Sequence, residues 1–402
     1  MPKKIRQSDV DAAIAQLDRV RGNWLKRPGV TALDVGYKVK DGELTDTLAI
    51  RVHVERKLPI EALSAHEIFT TPDEPQKVGA FPIDVIEAEY GPSLLAAAEP
   101  LEAEAVNRRS RVDPLVGGIS VGNPRITAGT LGAIVWDRTN CDVCILSNWH
   151  VLCGSATCAA GEAIYQPGVY DGGTAADKVA ELKRWRLDKD ADAALAKLTG
   201  ARGYTRDILG LSPIPGVEAA ALGMRVTKSG RTTAITEGVV DGLSMSVTIN
   251  YGGGTVQTFH DQIHIAPPSP RPTPDYEVSM GGDSGSVWIN TATGRAIGLH
   301  FAGETDPSPS AEHAIANRMV KVAELMNFSF TPLYCPPVVI DGRLRDILRN
   351  ILCRRFPWLC GGRFPFWTGA SEMAPSRPEL EVPMVDVEML LDEIMEELSR
   401  GR

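Results

Sequence analysis

From about residue 113 to 330 the chain reads as short apolar runs cut apart by glycines: "AGTLGAIVWD", "CILSNWHVL", "ADAALAKL", "RVTKSGRTTAITEGVV", "MSVTIN", "SGSVWIN" and "AIGLHFAG". The glycines are turn signals. Several short strands at this spacing point to closed or sandwiched β-sheet. Composition agrees: 38 glycines, 28 prolines and only 6% aromatics suit strands joined by turns better than a helix bundle. The run "HAIANRMVKVAELMNF" has helical spacing and closes this stretch.

The flanks differ. At 402 residues and 43% hydrophobic, the chain exceeds one typical domain. Residues 1–90 read as a small α+β module. In "SDVDAAIAQLDRVRGNWL" Ser8 is placed to cap a helix, and Val10, Ile14, Leu17 and Val20 recur at helical spacing. "GVTALDVGYKV", "TLAIRVHVERK" and "FPIDVIEAEY" alternate as strands, with an Asp-Gly turn at Gly42. Residues 91–112 read as a linker. Residues 331–402 form a C-terminal extension with two amphipathic helices. One places Leu344, Ile347, Leu348, Ile351 and Leu352 on a single face; the other spaces Val387, Leu391, Ile394 and Leu398 by 4, 3 and 4. The arginine-rich helix is expected to dock on the protein or another subunit, in preference to a membrane surface. An oligomer, or a regulatory partner held by the N-terminal module or the tail, is consistent with these faces.

A net charge of −9 gives no reason to expect nucleic-acid binding. No signal-peptide pattern opens the sequence and no apolar run spans a bilayer, so the expected location is cytoplasmic. In a reducing compartment the seven cysteines are expected as thiols. Cys141, Cys144, Cys153 and Cys158 crowd around His150, and a zinc site or a Cys153–Cys158 bridge are the alternatives; no metal and no cofactor is expected.

Three segments carry chemistry. "LSNWHVL" puts His150 after an apolar strand, "DKDADAALAKL" puts Asp192 at the head of another, and "GGDSGS" holds Ser284. A hydroxyl needs a base within hydrogen-bond reach, and the base needs an acid to fix its tautomer. Asp190 is the rival acid; Asp192 is preferred because it directly precedes the apolar run. The backbone N–H groups of Gly282 and Ser284 can form an oxyanion hole if the turn is tight, and glycine permits φ > 0 there. Each piece alone has a plain structural reading, as a glycine turn, a core histidine or a turn aspartate. The order His, Asp, Ser is that of chymotrypsin-type hydrolases.

On this text the chain resembles a trypsin-like (chymotrypsin-fold) serine protease. Within that clan it is similar to the bacterial relatives of the plant narrow-leaf protease. The matching text is "AGTLGAIV", "LSNWHVL", "IYQPGVYDGGTAADKVAEL", "DAALAKL", "VTKSGRTTAITEGVV", "INYGGG", "GGDSGSVW" and "GLHFAGE", and the strands after Gly29 resemble the segment that precedes such domains. The match covers roughly residues 28–328. It implies a mainly β fold: a protease domain of two β-barrels over residues 113–330, with His150 and Asp192 from the first barrel and Ser284 from the second. It implies a protein substrate cut through an acyl-enzyme. The other reading is a protease fold used as a regulatory binding module. "RRSRVDPLVGGISV" resembles the activation segment of secreted zymogens, whose new amino terminus would pair with Asp283.

The same resemblance places Val278 at the base of the specificity pocket, with Ser279 beside it and His300, Ala302 and Gly303 on a wall strand. An uncharged Val278 disfavours Lys or Arg there. A histidine at 300 resembles proteases that select Glu or Gln, since imidazole and a serine hydroxyl can both donate to an acyl oxygen. The other histidines are weaker candidates: His53 lies in a strand of the N-terminal module, His66 in a loop or helix nearby, and His313 at the start of the closing helix, while His260 and His264 stand in strand-like text and are read as structural.

Overall fold

The computed structural model describes residues 4–40, 43–62, 69, 77–93, 107–304 and 312–333. Residues 1–334 form one compact unit; a second unit, residues 335–402, lies outside the described residues, together with both amphipathic helices expected in the extension.

The chain begins with α1 (Gln7–Trp24), whose apolar stripe buries Val10, Ala13 and Leu17. Its N-cap is Arg6 rather than Ser8, and the Arg6 guanidinium bonds Asp9 in the first turn. β1 (Val30–Lys40) and β2 (Glu43–Val54) pair antiparallel, and β3 (Phe81–Glu87) lies parallel to β2. β4 (Tyr90–Pro92) follows at once, so the first residues of the expected linker are in a strand.

Six further strands make one sheet: β5 (Ala133–Asp137), β6 (Val143–Ser147), β7 (Ala163–Tyr165), β8 (Lys178–Leu187), β9 (Asp192–Leu198) and, far along the chain, Phe328–Ser329. Their order is β7-β8-β9-β6-β5 with Phe328–Ser329 beside β5. A four-residue helix, α2 (Trp149–Leu152), follows β6. Alternating inward residues such as Ile134, Ile145, Leu182, Ala194 and Ala196 fill this first barrel.

The second barrel comprises β10 (Arg225–Gly230), β11 (Ala234–Asn250), β12 (Val256–Ala266), β13 (Val287–Asn290), β14 (Ala296–Glu304) and β15 (Ala314–Arg318). They run β10-β13-β14-β15-β12-β11, and β11 pairs back to β10, which closes the ring. The run "HAIANR", read as the start of a helix, is strand up to Arg318; α3 (Met319–Leu325) begins after it. His313 therefore precedes a strand.

β1 adds to β11, with Ala32 opposite Val247 and Gly36 opposite Gly242. The N-terminal strands and the second barrel thus share one continuous sheet and one core, in which Leu17, Leu33 and Ile50 pack with Val240, Ile263 and Trp288. A third apolar layer joins the barrels through Val135, Leu146, Leu195, Val287 and Leu299. The architecture is the mainly β, two-barrel one that the sequence predicts.

Candidate active site

β6 ends at Ser147, opposite Ala194 of β9, and the chain then turns into α2. That register delivers His150 to Asp192. His150 Nδ1 lies 2.5 Å from Asp192 Oδ2, and its backbone N–H donates to Oδ1 at 3.3 Å. Asp192 is fully buried, and every polar group it has is engaged. The Tyr251 hydroxyl donates to Oδ2 at 2.6 Å. Asn148 Nδ2 donates to the Asp192 carbonyl at 2.7 Å, and Asn317 Oδ1 accepts its N–H at 3.0 Å. An ionised partner on Nδ1 holds that nitrogen as the donor and leaves Nε2 as a base. Nε2 is buried, with no hydrogen-bond partner among the described residues. The rival Asp190 pairs with Lys189 at 2.7 Å and is half-exposed.

Ser284 sits on a turn with Gly282 at φ 98° and Gly285 at φ 94°. Both are left-handed values that glycine tolerates best. A Cβ on Gly285 would collide with Ser147 Oγ and the Thr130 carbonyl, so the turn is also pressed against the first barrel. The preceding Asp283 is buried and accepts from Lys228 Nζ (2.9 Å), Thr233 Oγ1 (2.5 Å) and the N–H groups of Thr232, Thr233 and Met280. Burial alone would raise its pKa; Lys228 and the Thr233 hydroxyl outweigh that and hold it at about 2. An internal lysine thus fills the place in which an activation-segment amino terminus would pair, and the zymogen reading of "RRSRVDPLVGGISV" is not what the fold uses.

The Ser284 hydroxyl donates to the carbonyl of Ser93 at 3.1 Å and lies 3.5 Å from that of Phe301; the Ser284–His150 bond of a resting triad is not made. Ser93 follows β4, which pairs antiparallel with β14: Pro92 opposite Ala302, Gly91 opposite Gly303, Tyr90 opposite Glu304. Ser93 N–H donates to Phe301 O at 3.3 Å, and Gly282 N–H donates to Ser93 O at 2.8 Å. Of the two expected oxyanion donors, Gly282 therefore already holds a carbonyl.

The Ser93 side chain meets His300, Oγ to Nε2 3.1 Å. A Cβ placed on Gly303 would stand 3.3 Å from Ser279 Oγ and 3.5 Å from Ser93 Oγ, so these groups flank one small space. Ser279, His300 and Gly303 lie together around the Ser93 side chain, and Ala302 pairs with Pro92 through its backbone. Val278 packs instead in the barrel core beside Gly238, its N–H bonded to Glu312. Burial, then the nearby Lys228, lowers the His300 pKa to about 3, so its imidazole is neutral. A cavity of about 590 Å³ is lined by His150 with Ile126, Trp149, Tyr170 and Tyr251 among others.

The four cysteines do not converge on a metal. Cys153 and Cys158 are bonded to each other, Cα–Cα 5.5 Å; Cys141 is also disulfide-bonded; Cys144 is a buried thiol, pushed up to about 12 by burial. This corrects the expectation of free thiols at three positions. His53 and His264 form a buried cluster with Asp34, Arg51, Asp241 and Tyr90, which gives His264 the structural place read for it. His313 stacks on His264 at 4.6 Å. His260 bonds Ser246, and His66 lies outside the described residues.

Sequence reasoning missed Tyr251, Lys228, Asn317 and Ser93. Tyr251 stood in the quoted "INYGGG" without a role; the other three carry no local motif.

No protein-family model matches the chain. A stretch of 119 residues, 29% of this chain, is 34% identical to Protein NARROW LEAF 1 of Oryza sativa subsp. japonica and spans about 20% of that protein's length. Among solved structures, the chain is similar to a Nocardiopsis protease (16% identity, 54% of this chain, 97% of that one, TM-score 0.40). It is also similar to a glutamic acid-specific serine protease described as using a histidine triad in substrate binding (20% identity, 54% and 99%, TM-score 0.39). A third is the active form of the Rv3671c protease from M. tuberculosis (19% identity, 60% and 97%, TM-score 0.30). The structural neighbours of this chain are thus chymotrypsin-like serine proteases.

Proposed function

We propose that the protein is a serine endopeptidase in which Ser284 is the nucleophile, His150 the base and Asp192 the residue that orients His150. The observation that carries this reading is the His150–Asp192 pair, with Nε2 left unpartnered, together with a glycine turn at Ser284 that already holds a carbonyl on Gly282 N–H. When the Ser284 hydroxyl rotates to Nε2, His150 removes its proton as Oγ attacks a substrate carbonyl. The oxyanion is met by Gly282 N–H, and His150 returns the proton to the leaving amine. Water then repeats the sequence on the acyl-enzyme.

The pocket built by Ser279, His300 and Gly303 suits a side chain that presents an oxygen to His300 Nε2. A preference for Glu or Gln before the cut bond extends the contact that Ser93 makes. Profiling on a peptide library checks this; dominance of Leu, Ala or Val at that position would overturn it. The enzyme is proposed to be latent in the described form, since its cleft is filled by its own chain.

The alternative, a protease fold used as a binding module, is favoured by one observation: the Ser284 hydroxyl bonds Ser93 O rather than His150. Replacing Ser284 by Ala separates the two. The peptidase reading expects loss of turnover and of fluorophosphonate labelling; cleavage that survives in a clean Ser284→Ala preparation overturns it.

A further inference from the structure

The segment Tyr90–Ser93 has the relation to this site that a substrate has. Its backbone joins β14 as an added antiparallel strand, a mode in which main-chain hydrogen bonds give affinity and pockets give selectivity. Its last side chain enters the Ser279–His300–Gly303 space. Its last carbonyl oxygen lies 2.8 Å from the Gly282 nitrogen, within the 2.7–3.1 Å or so that an oxyanion donor requires. The Ser284 Oγ stands 3.1 Å from that same oxygen. Strand, side chain, carbonyl and nucleophile thus agree on one residue.

The placement is built in from behind. Tyr90 is buried, and its hydroxyl bonds His53 Nδ1 at 2.7 Å and His264 Nε2 at 3.2 Å. These histidines come from β2 and β12, so the N-terminal strands and the second barrel together hold the segment in register. Ala88 N–H, bonded to Val54 O, fixes the chain just before it. A peptide held this way in the same chain needs no encounter step and presents itself at high effective concentration.

We propose that the chain is its own substrate, and that Ser284 cuts the peptide bond that follows Ser93. The proposal rests on the serine-endopeptidase reading above. Ser284 Oγ bonds to the Ser93 carbonyl carbon while its proton passes to His150 Nε2. The carbon–nitrogen bond breaks, and that proton leaves with the new amine. Water then hydrolyses the ester, leaving a Ser93 carboxylate and a restored Ser284 hydroxyl. No oxidant or further reactant is needed. Pieces cut at this bond stay associated, because β1 to β4 remain part of the second barrel's sheet.

The full-length chain, incubated after purification and followed by intact-mass spectrometry and amino-terminal sequencing, tests this. The expected result is two pieces, residues 1–93 and a piece whose amino terminus is Leu94, formed in wild type and not in Ser284→Ala. The half-time should be unchanged by tenfold dilution; a rate proportional to concentration means cutting between chains and overturns the proposal. A second variant, Ser93→Trp, puts an indole where His300 and Gly303 leave little room. It should slow the cut at least tenfold while Ser284 still labels with a fluorophosphonate. Wild type that stays whole, or is cut elsewhere, while Ser93→Trp labels overturns self-cleavage and leaves the endopeptidase standing. If neither form is cut or labelled, both readings fall.

Discussion

Tyr251 is the residue on which the charge of Asp192 leans, apart from His150 itself. Its hydroxyl donates to the same oxygen that His150 Nδ1 meets, and its ring lies 5.4 Å from the imidazole. Hydrogen bonds to charged groups are worth about 1.5–3 kcal/mol. Tyr251→Phe should lower kcat by roughly tenfold or more, with KM little changed, since about 1.4 kcal/mol is tenfold in rate. A variant with wild-type kcat and pH profile would reduce Tyr251 to packing. Asp192→Asn is expected to cost about 10⁴ in kcat, because the wrong tautomer then faces Ser284. Wild-type turnover by Asp192→Asn would move the role to another acid. His150, Asp192 and Ser284 could be found in the sequence because each sits at a strand end or glycine turn that local pattern marks. Tyr251 and Lys228 reach their partners across 59 and 55 residues, and nothing near either one announces the bond. The resemblance pointed to Val278, but the chain before the glycine turn carries that side chain into the core, while its neighbour Ser279 lies against Gly303.

At the scale of elements, the seam between β1 and β11 decides how the N-terminal strands relate to the barrel. Gly36 and Gly242 face each other across it, and a Cβ on either would strike Arg51. The two glycines let the Arg51 guanidinium lie between Asp34 and Asp241, all three fully or nearly fully buried. Burial pushes both carboxyls up, and Arg51 more than reverses it, so both stay ionised well below the usual carboxylate range. Arg51→Leu removes the shared cation and leaves two buried carboxylates with only His53 and His264 beside them, for a loss of about 3–5 kcal/mol. Urea unfolding measures it; a loss below about 1 kcal/mol would mean the cluster does not tie the seam. The alternation of β1 and β2 was legible, and so was a strand over "FPIDVIEAEY". Their pairing with β11 was not, because register between strands two hundred residues apart leaves only a faint trace: a glycine inside each strand pattern, where backbones approach closely.

The whole molecule carries a pH dependence that follows from its buried histidines. Burial, the largest effect at each, lowers the pKa of His53, His300 and His313 below 6.5. At His53 the carboxylate of Asp34 opposes this, while Arg51 and His264 reinforce it; at His313 Asp241 opposes, while His264, His53 and Arg51 reinforce. Each takes up its proton at lower pH in the fold than in the unfolded chain, so the unfolded chain binds more protons once the pH falls toward 6.5 and below. Their contribution is full above 6.5 and is lost on acidification, down to about 3 for His300. Glu312 acts in the opposite sense. Burial and its neighbours Glu277 and Glu304 raise it to about 10, so its contribution is full below 4.5 and is lost as pH rises toward 10. Between pH 6.5 and 4.5 these histidines, joined by the half-buried His260 that burial also lowers, oppose the one raised carboxyl. Asp283, held at about 2, adds a further loss only below about pH 4. The thermal midpoint should therefore fall from pH 7 to pH 5, and His313→Asn should flatten that fall, because asparagine does not titrate. A midpoint independent of pH across this window would mean that the histidines are not held neutral in the fold.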